Sequence, residues 1–347
     1  FVDEVYFALL RNYRRHGWLV LYLFGASPAV CRSFFGGRPM PQGLLELDAH
    51  TLYAPFATSL RMSDLGYRNS SQAGFSVSVN SLDDYVRDLE ALIHTPSEQY
   101  RRLGVVVAGE WRQLNANVLQ IENEYYSFIR PKRTARSGER PTAALRRAGV
   151  EYVEMRSLDV SAFDPVGVSQ NEMRFLEAFA ALCALKDSPP IQRSEEQALD
   201  GNHVRVAREG RRPGLELDRD GRAVPLVAWA RQLLDELRGV CEILDEGDPA
   251  RPHSAALAVQ LHRLEDVEAT PSARLLRELR DNRESFFRFA LRTSAGHKQS
   301  FRARHPPNPA VMATLAAEAA ASHEAQRRLE QADQLSFEEF VAAWYAR

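Results

Sequence analysis

In Glu151-Tyr152-Val153-Glu154-Met155-Arg156-Ser157-Leu158, a carboxylate and a guanidinium stand two residues apart. Side chains alternate along a strand, so Tyr152, Glu154, Arg156 and Leu158 share one face and Val153 and Met155 the other. With Val153 and Met155 toward a core, Glu154 and Arg156 face a cleft or water, about 7 Å apart at the usual rise. Such a pair could hold a divalent cation and an anion side by side; a solvated strand face is the competing reading. A second strand is expected within Leu114 to Tyr126, with Gln120, Glu122, Glu124 and Tyr126 on one face. Paired carboxylates suit Mg2+, which takes oxygen ligands, and Mg2+ suits phosphate chemistry. Here too solvation is the alternative.

Between these strands lies a basic run: Arg130, Lys132, Arg133, Arg136, Arg140, Arg146 and Arg147, against the single Glu139. A nucleotide's phosphates, or plain solvation, explain it better than DNA or RNA, because it lacks the interleaved aromatics of a base-stacking platform. Arg61 and Tyr67 bracket Met62-Ser63-Asp64-Leu65-Gly66 in a stretch rich in Ser and Gly, which reads as a loop carrying two carboxylate-binding groups. No P-loop, G-x-G-x-x-G, H-E-x-x-H or G-x-S-x-G occurs. The nine histidines are scattered and read as structural.

The elements that must position these residues are α and β interspersed. Val2, Val5, Tyr6, Leu9, Leu10 and Tyr13 recur at helical spacing, with Gly17 placed to end the helix. Ser81 and Asp84 resemble a capping box ahead of the stripe Leu82, Tyr85, Val86, Leu89, Leu92 and Ile93. Phe75, Val77 and Val79 alternate with serines as a half-buried strand would, and a further strand is expected within Val150 to Val160. Asn171 to Leu185 reads as a helix with Phe175, Leu176, Phe179, Leu182 and Cys183 inward, ended by Ser188-Pro189-Pro190. The polar, Gly/Pro-punctuated stretch from Ile191 to Pro225 reads as a loop-rich connector. Beyond it the apolar residues Leu226, Trp229, Leu233, Leu237, Val240 and Leu244 begin a series of helices.

The chain of 347 residues is long enough for a full core, and 44 basic against 46 acidic residues give no net pull toward nucleic acid or anionic lipid. Three separated cysteines argue against a zinc ribbon or a secreted disulfide framework and fit a reducing cytoplasm. The longest strongly apolar run, Trp18 to Phe24, falls short of the roughly 20 residues a membrane span needs. The chain starts at Phe1, without Met, and enters a patterned helix at once, so a natural start is expected to be missing.

Several longer motifs then resemble one family. Tyr22-Leu23-Phe24-Gly25-Ala26-Ser27-Pro28-Ala29, Ala57-Thr58-Ser59-Leu60-Arg61-Met62-Ser63-Asp64-Leu65-Gly66-Tyr67, Leu119-Gln120-Ile121-Glu122-Asn123-Glu124, Ile129-Arg130-Pro131-Lys132-Arg133 and Glu151 to Asp159 are similar to the proteobacterial glutamate-cysteine ligases. The resemblance is strong to about Leu215 and weak through the helical tail. It implies an α+β, glutamine synthetase-like fold with an antiparallel sheet curved into a funnel, here partial, formed by residues 1–224. A helical C-terminal region, 225–347, is expected to pack on it. It also implies ATP-dependent joining of the L-glutamate γ-carboxylate to the amine of L-cysteine through an acyl phosphate, in a cytoplasmic monomer that uses Mg2+. By this resemblance Glu154 is a metal ligand, and Arg156 faces the substrate or the transferred phosphoryl group. Arg61 and Tyr67 line the cysteine side and the transition-state anion, Tyr126 adds an aromatic to that pocket, and Lys132 and Arg133 face ATP phosphates. The family's stretch ahead of the first helix carries most of the acidic metal ligands, so this chain alone is expected to be inactive. A related ligase with another amine acceptor, or a non-catalytic scaffold, are the alternatives.

Overall fold

The computed structural model describes residues 1–66, 74–304 and 308–346. Its first helix, α1 (Val2–His16), buries Phe7, Leu9, Leu10 and Tyr13, whereas Val2 and Val5 at its start are exposed. Gly17 does not break the chain direction. It stays right-handed (φ −64°, ψ −14°) and leads straight into α2 (Trp18–Phe24). A Cβ on Gly17 would lie 2.5 Å from the Tyr13 carbonyl oxygen and 2.9 Å from its ring, so close approach rather than a left-handed turn demands glycine. All seven residues of α2 are buried, as an all-apolar helix requires.

Short strands and helices alternate after it. β1 (Ala29–Cys31), β2 (Leu45–Glu46) and β3 (Thr51–Tyr53) form an antiparallel sheet in the order β1-β3-β2. The stripe read from Leu82 to Ile93 is α3 (Leu82–His94), capped by Ser81, whose hydroxyl accepts the Asp84 N–H. Then come α4 (Glu98–Leu103), the hairpin β4 (Val106–Val107) with β5 (Glu110–Trp111), β6 (Ile129–Lys132), α5 (Pro141–Ala148) and β7 (Tyr152–Met155), which pairs with β6. A complete capping box, Ser169 with Glu172, starts α6 (Gln170–Leu185), which buries Phe175, Phe179, Leu182 and Cys183 as its spacing predicts. Then α7 (Arg193–Glu209) and the hairpin β8 (Glu216–Arg219) with β9 (Arg222–Pro225) lead into α8 (Leu226–Leu244), α9 (Pro252–Glu265) and α10 (Pro271–Asp281). The core gathers around α2 and α6: α6 packs on α1, α8 and α9, and α2 packs on α7.

The α+β class is as expected, but three local expectations are not. Leu114 to Tyr126 forms no strand; it runs through turns into a short 3-10 helix, Glu122–Glu124, and β7 takes its partner from Ile129–Lys132 instead. Val77 and Val79 are buried as the alternation requires, yet the segment pairs with no strand among the described residues. The stretch read as a loop-rich connector holds α7 and the β8–β9 hairpin. The sheets are four separate small antiparallel ones among the described residues, rather than one continuous wall.

Contacts divide the chain into two units, 1–291 and 292–347. The expected boundary at 224/225 therefore falls inside the first unit, where β9 runs into α8. The second unit holds the rest of α11 (Phe286–Arg304), then α12 (Pro309–Ala332) and α13 (Phe337–Tyr345), and Val341 is its one buried hydrophobic among the described residues. No helix among the described residues is long and apolar enough to cross a membrane.

A charged junction closes the turn between α8 and α9. Asp245 accepts the N–H groups of His253 and Ser254 and faces His253 Nδ1 at 3.0 Å, while His253 Nε2 faces Glu177 of α6 at 3.0 Å. Burial alone would lower the His253 pKa, but the bonds to Glu177 and Asp245 outweigh it and raise the pKa above its ordinary value. A raised folded-state pKa stabilises fully below the unfolded value, about 6.5, and the contribution is lost as pH rises through the folded value. The unfolding midpoint of His253→Gln is therefore expected to lie below that of the parent at about pH 6 and to approach it as pH rises past 8. A pH-independent gap in thermal melts would remove the protonated histidine from this account.

Candidate functional site

The β6–β7 pair carries the residues singled out by chemistry. Its register sets Arg130 opposite Glu154 and Lys132 opposite Tyr152. The chain reaches β7 through Gly149, whose φ of +72° ends α5, and Asp3 of α1 accepts the Val150 N–H at 2.6 Å. Val153 and Met155 pack against the main core, which turns Glu154 to the other face, as the alternation predicts.

Glu154 sits among cations. Its Oε2 lies 3.3 Å from Arg130 Nη2 and 3.5 Å from Lys132 Nζ, and its Oε1 lies 3.7 Å from Arg156 Nε. Burial pushes the Glu154 pKa up, but Lys132, Arg130 and Arg156 together hold it below the ordinary carboxylate value. The Lys132 pKa is lowered in turn, by burial and by Arg130. Oε2 is shielded from solvent and accepts no well-formed hydrogen bond. Three cations around one carboxylate leave a local surplus of positive charge, which suits a polyanion such as a triphosphate.

Arg130, mentioned in the sequence only as one cation of a run, is a central member. It is buried, and its Nη1 donates to the carbonyl oxygens of Asn123 and Tyr125 at 3.0 Å each. It thereby ties the turn that carries half-exposed Tyr126 to the Glu154 carboxylate. Arg61 comes in from its loop: Nε donates to Asp159 at 2.8 Å, and Nη2 donates to the carbonyl oxygens of Arg156 and Leu158. Tyr67 lies outside the described residues.

Other members of the basic run go elsewhere. Arg133 donates to the carbonyl oxygens of Ala148 and Gly149, closing the end of α5. Arg140 pairs with Glu122, Arg146 with Glu90 and Arg147 with Glu139. The run is thus divided between a strand, a turn and a helix, and only Arg130 and Lys132 of these residues pair with Glu154. Glu122 and Glu124, expected on a polar strand face, are not part of the group either: Glu122 is buried against Arg140 and Thr142, and Glu124 accepts the Gln120 N–H. A strand reading of Ile129-Arg130-Pro131-Lys132 would have exposed the cross-strand pair, but Pro131 argues against it locally.

The donor set bears on Mg2+. Glu154 Oε2, an orphaned carboxylate oxygen beside cations, fits as one ligand, yet the described residues contain no group of three or more His, Cys, Asp and Glu side chains able to hold a metal ion. Mg2+ near Glu154 would have to complete its octahedron from phosphate oxygens, water and other protein groups.

The family model for glutamate-cysteine ligase matches residues 1–206. The glutamate-cysteine ligase of Azotobacter vinelandii is 50% identical over 346 residues, covering 100% of this chain and 65% of that protein. That of Pseudomonas putida strain W619 is 48% identical over 99% of this chain and 65% of its own length. This chain therefore spans about two thirds of these curated relatives. A crystal structure of the Francisella tularensis enzyme in complex with AMP superposes over the whole chain with a TM-score of 0.92 at 35% identity, covering 68% of that chain. A bifunctional glutathione synthetase from Pasteurella multocida, at 22% identity and a TM-score of 0.64, shares the fold. The family match takes in more than half of the chain, including Arg61, both strands around Glu154 and the junction at Asp159, and on that ground the chain belongs to the glutamate-cysteine ligase family.

Proposed function

We propose that this chain serves the ATP-dependent joining of the γ-carboxylate of L-glutamate to the amine of L-cysteine, the first step of glutathione biosynthesis. The observation that carries the reading is Glu154 on β7 with Arg156 just past the strand's end, flanked by Arg130 and Lys132, within the part that the family model matches. A relative of the same fold, solved with AMP, supports a nucleotide as ligand.

The chemistry asks for such a cluster. A carboxylate is a poor electrophile, so transfer of the terminal phosphoryl group of ATP to the glutamate γ-carboxylate oxygen is needed to make an acyl phosphate. The cysteine amine then attacks the acyl carbon, phosphate leaves, and the amine nitrogen gives up a proton as the amide forms. In passage the charge of the transferred group is spread over its three equatorial oxygens, and fixed donors aimed at them contribute most of the acceleration. Arg156 and Arg61 are the donors assigned to that charge, with Lys132 assigned to the ATP phosphates. When bound at Glu154, Mg2+ would neutralise part of the crowded phosphate charge. Tyr126 and Tyr67 are assigned to the amino-acid pocket. Arg133 is assigned to the same phosphates more weakly, since its Nε and Nη2 also donate to the carbonyl groups that close α5. A cytosolic setting suits a substrate whose thiol must stay reduced.

Phosphate release measured with ATP, Mg2+, glutamate and cysteine tests the reading. A family-length protein containing this sequence is expected to release phosphate in step with amide formation, and far less when cysteine is replaced by other amines. Indifference to cysteine would refute the acceptor. In the same protein Glu154→Ala is expected to lower Mg2+-dependent turnover by at least ~100-fold, beyond the ~10–100-fold typical of residues one step removed from a metal. The protein should stay folded, and unchanged turnover would return Glu154 to an ordinary solvated strand face.

A further inference from the structure

Asp159 lies where three segments of the chain converge, and its side chain is 2% exposed. Its Oδ2 accepts the N–H of Ala26 at 2.9 Å and the hydroxyl of Ser27 at 2.7 Å. Its Oδ1 accepts the Nε–H of Arg61 at 2.8 Å. Arg61 passes the restraint on, because its Nη2 donates to the carbonyl oxygens of Arg156 and Leu158, each at 2.8 Å. The backbone of the Arg61 loop is held to the same place: Leu60 N–H donates to the Ser27 carbonyl at 2.7 Å and Arg61 N–H to the Ser27 hydroxyl at 3.3 Å.

A guanidinium is a rigid planar fork, so three acceptors on two of its nitrogens fix its plane as well as its place. One of those acceptors is the carbonyl of Arg156 itself, and the Arg156 N–H donates to the Phe128 carbonyl at 2.8 Å on the β6 side. Arg156 is therefore anchored by its own N–H and C=O beyond the last paired residue of β7, and its side chain projects from a backbone that Arg61 helps to hold. A loop arginine and a strand-end arginine, 95 residues apart in sequence, share one restraint.

We propose that Asp159 is a positioning residue for Arg61 and Arg156: its charge sets the Arg61 guanidinium and, through it, the backbone from which Arg156 reaches the site. The inference rests on the ligase reading for what the two arginines bind, and on geometry alone for how they are held.

Substitution by asparagine separates the two functions of the carboxylate. An asparagine whose oxygen keeps the Ala26 N–H and the Ser27 hydroxyl must turn its NH2 toward Arg61, donor against donor. Asp159→Asn thus keeps the acceptor that joins Ala26 and Ser27 while opposing the contact to Arg61. The Nε–H NMR signals of Arg61 and Arg156 in the 347-residue chain, assigned with Arg61→Lys and Arg156→Lys, report the outcome. In Asp159→Asn, solvent exchange of the Arg61 Nε–H is expected to rise about tenfold and the Arg156 signal to shift, in a protein that still melts cooperatively. Tripolyphosphate binding followed at the Arg156 signal is expected to weaken about tenfold. If both arginine signals stay as in the parent, the positioning role is overturned. If they change but the parent's Arg156 signal never responds to tripolyphosphate, the positioning role stands and the phosphate assignment falls. Should Asp159→Asn fail to fold, Asp159→Glu keeps the charge but moves it by a methylene; displaced Arg61 and Arg156 signals would support the proposal, and unchanged ones would refute it.

Discussion

Glu122→Ala is expected to destabilise the protein by about 3–5 kcal/mol, the usual result of removing one partner from a buried ion pair. Glu122 Oε1 accepts Arg140 Nε–H at 2.9 Å and the Thr142 hydroxyl at 2.7 Å, with Arg140 Nη2 2.8 Å away. The two side chains are only 2% and 6% exposed, so water cannot replace the lost carboxylate, and Arg140 is left charged in a poorly hydrated place. Arg140 is also the residue from which α5 starts, so the strain reaches the helix that leads into β7. Urea unfolding of Glu122→Ala, Arg140→Ala and the double variant measures this. Each single change should cost several kcal/mol, and the double should cost clearly less than their sum, because it no longer strands a charge. Glu98→Ala, which removes an exposed partner of Arg102 one turn away in α4, should cost less than about 1 kcal/mol. Equal losses for Glu122→Ala and Glu98→Ala would show that the buried pair does not hold this segment.

Glu122 also shows what the sequence leaves hidden. Its alternation with Gln120 and Glu124 has the period of a strand, but whether it faces solvent depends on Arg140, 18 residues later. Local signals succeed where the element is local. The stripes and caps of α3 and α6, and the start of α8 at Leu226, lie in continuous sequence and need no partner to be recognised. They fail where polar residues occupy a buried stripe. α7 buries Leu199, Asn202, His203 and Val206 at helical spacing, and two of these four are polar. Asn202 is satisfied by both the N–H and the C=O of Asp218, and His203 stacks on Phe128 with 4.2 Å between ring centroids. Those partners exist only once the β8–β9 hairpin and the turn before β6 have folded against α7, so a search for apolar periodicity passes over the helix. The same holds for β6, where Pro131 masks a strand that its pairing with β7 makes plain.

The candidate site divides along the same line. Glu154 and Arg156 share a face because they stand two residues apart in an extended segment, a spacing that the sequence displays directly. Arg130, Lys132, Arg61 and Asp159 join them through strand pairing and a loop contact, neither of which sequence spacing encodes. The family resemblance supplies Arg61 where periodicity cannot, whereas Arg130 and Asp159 acquire their roles only in three dimensions.

Arg156→Ala should separate chemistry from stability more cleanly than any other change at the site. In a family-length protein containing this sequence, turnover is expected to fall by about 10²–10³-fold, equivalent to ~3–4 kcal/mol of lost stabilisation for charge developing on the transferred phosphoryl group. The side chain is about one third exposed, so truncation should cost about 1 kcal/mol in unfolding experiments, the usual scale for a partly exposed ion pair. The strand end keeps its backbone bonds to Phe128 and Arg61 whatever side chain stands at 156. Arg61→Ala differs, because that guanidinium also neutralises buried Asp159 and bridges two carbonyl groups; it should lose both turnover and stability. Arg156→Lys should recover only part of the rate, since an ammonium restores the charge but not the planar pair of donors. Steady-state kinetics read beside thermal melts decide the matter: a turnover loss that tracks the drop in melting temperature across these variants would reduce Arg156 to a packing role, whereas a large rate loss at unchanged stability assigns it to the reacting group.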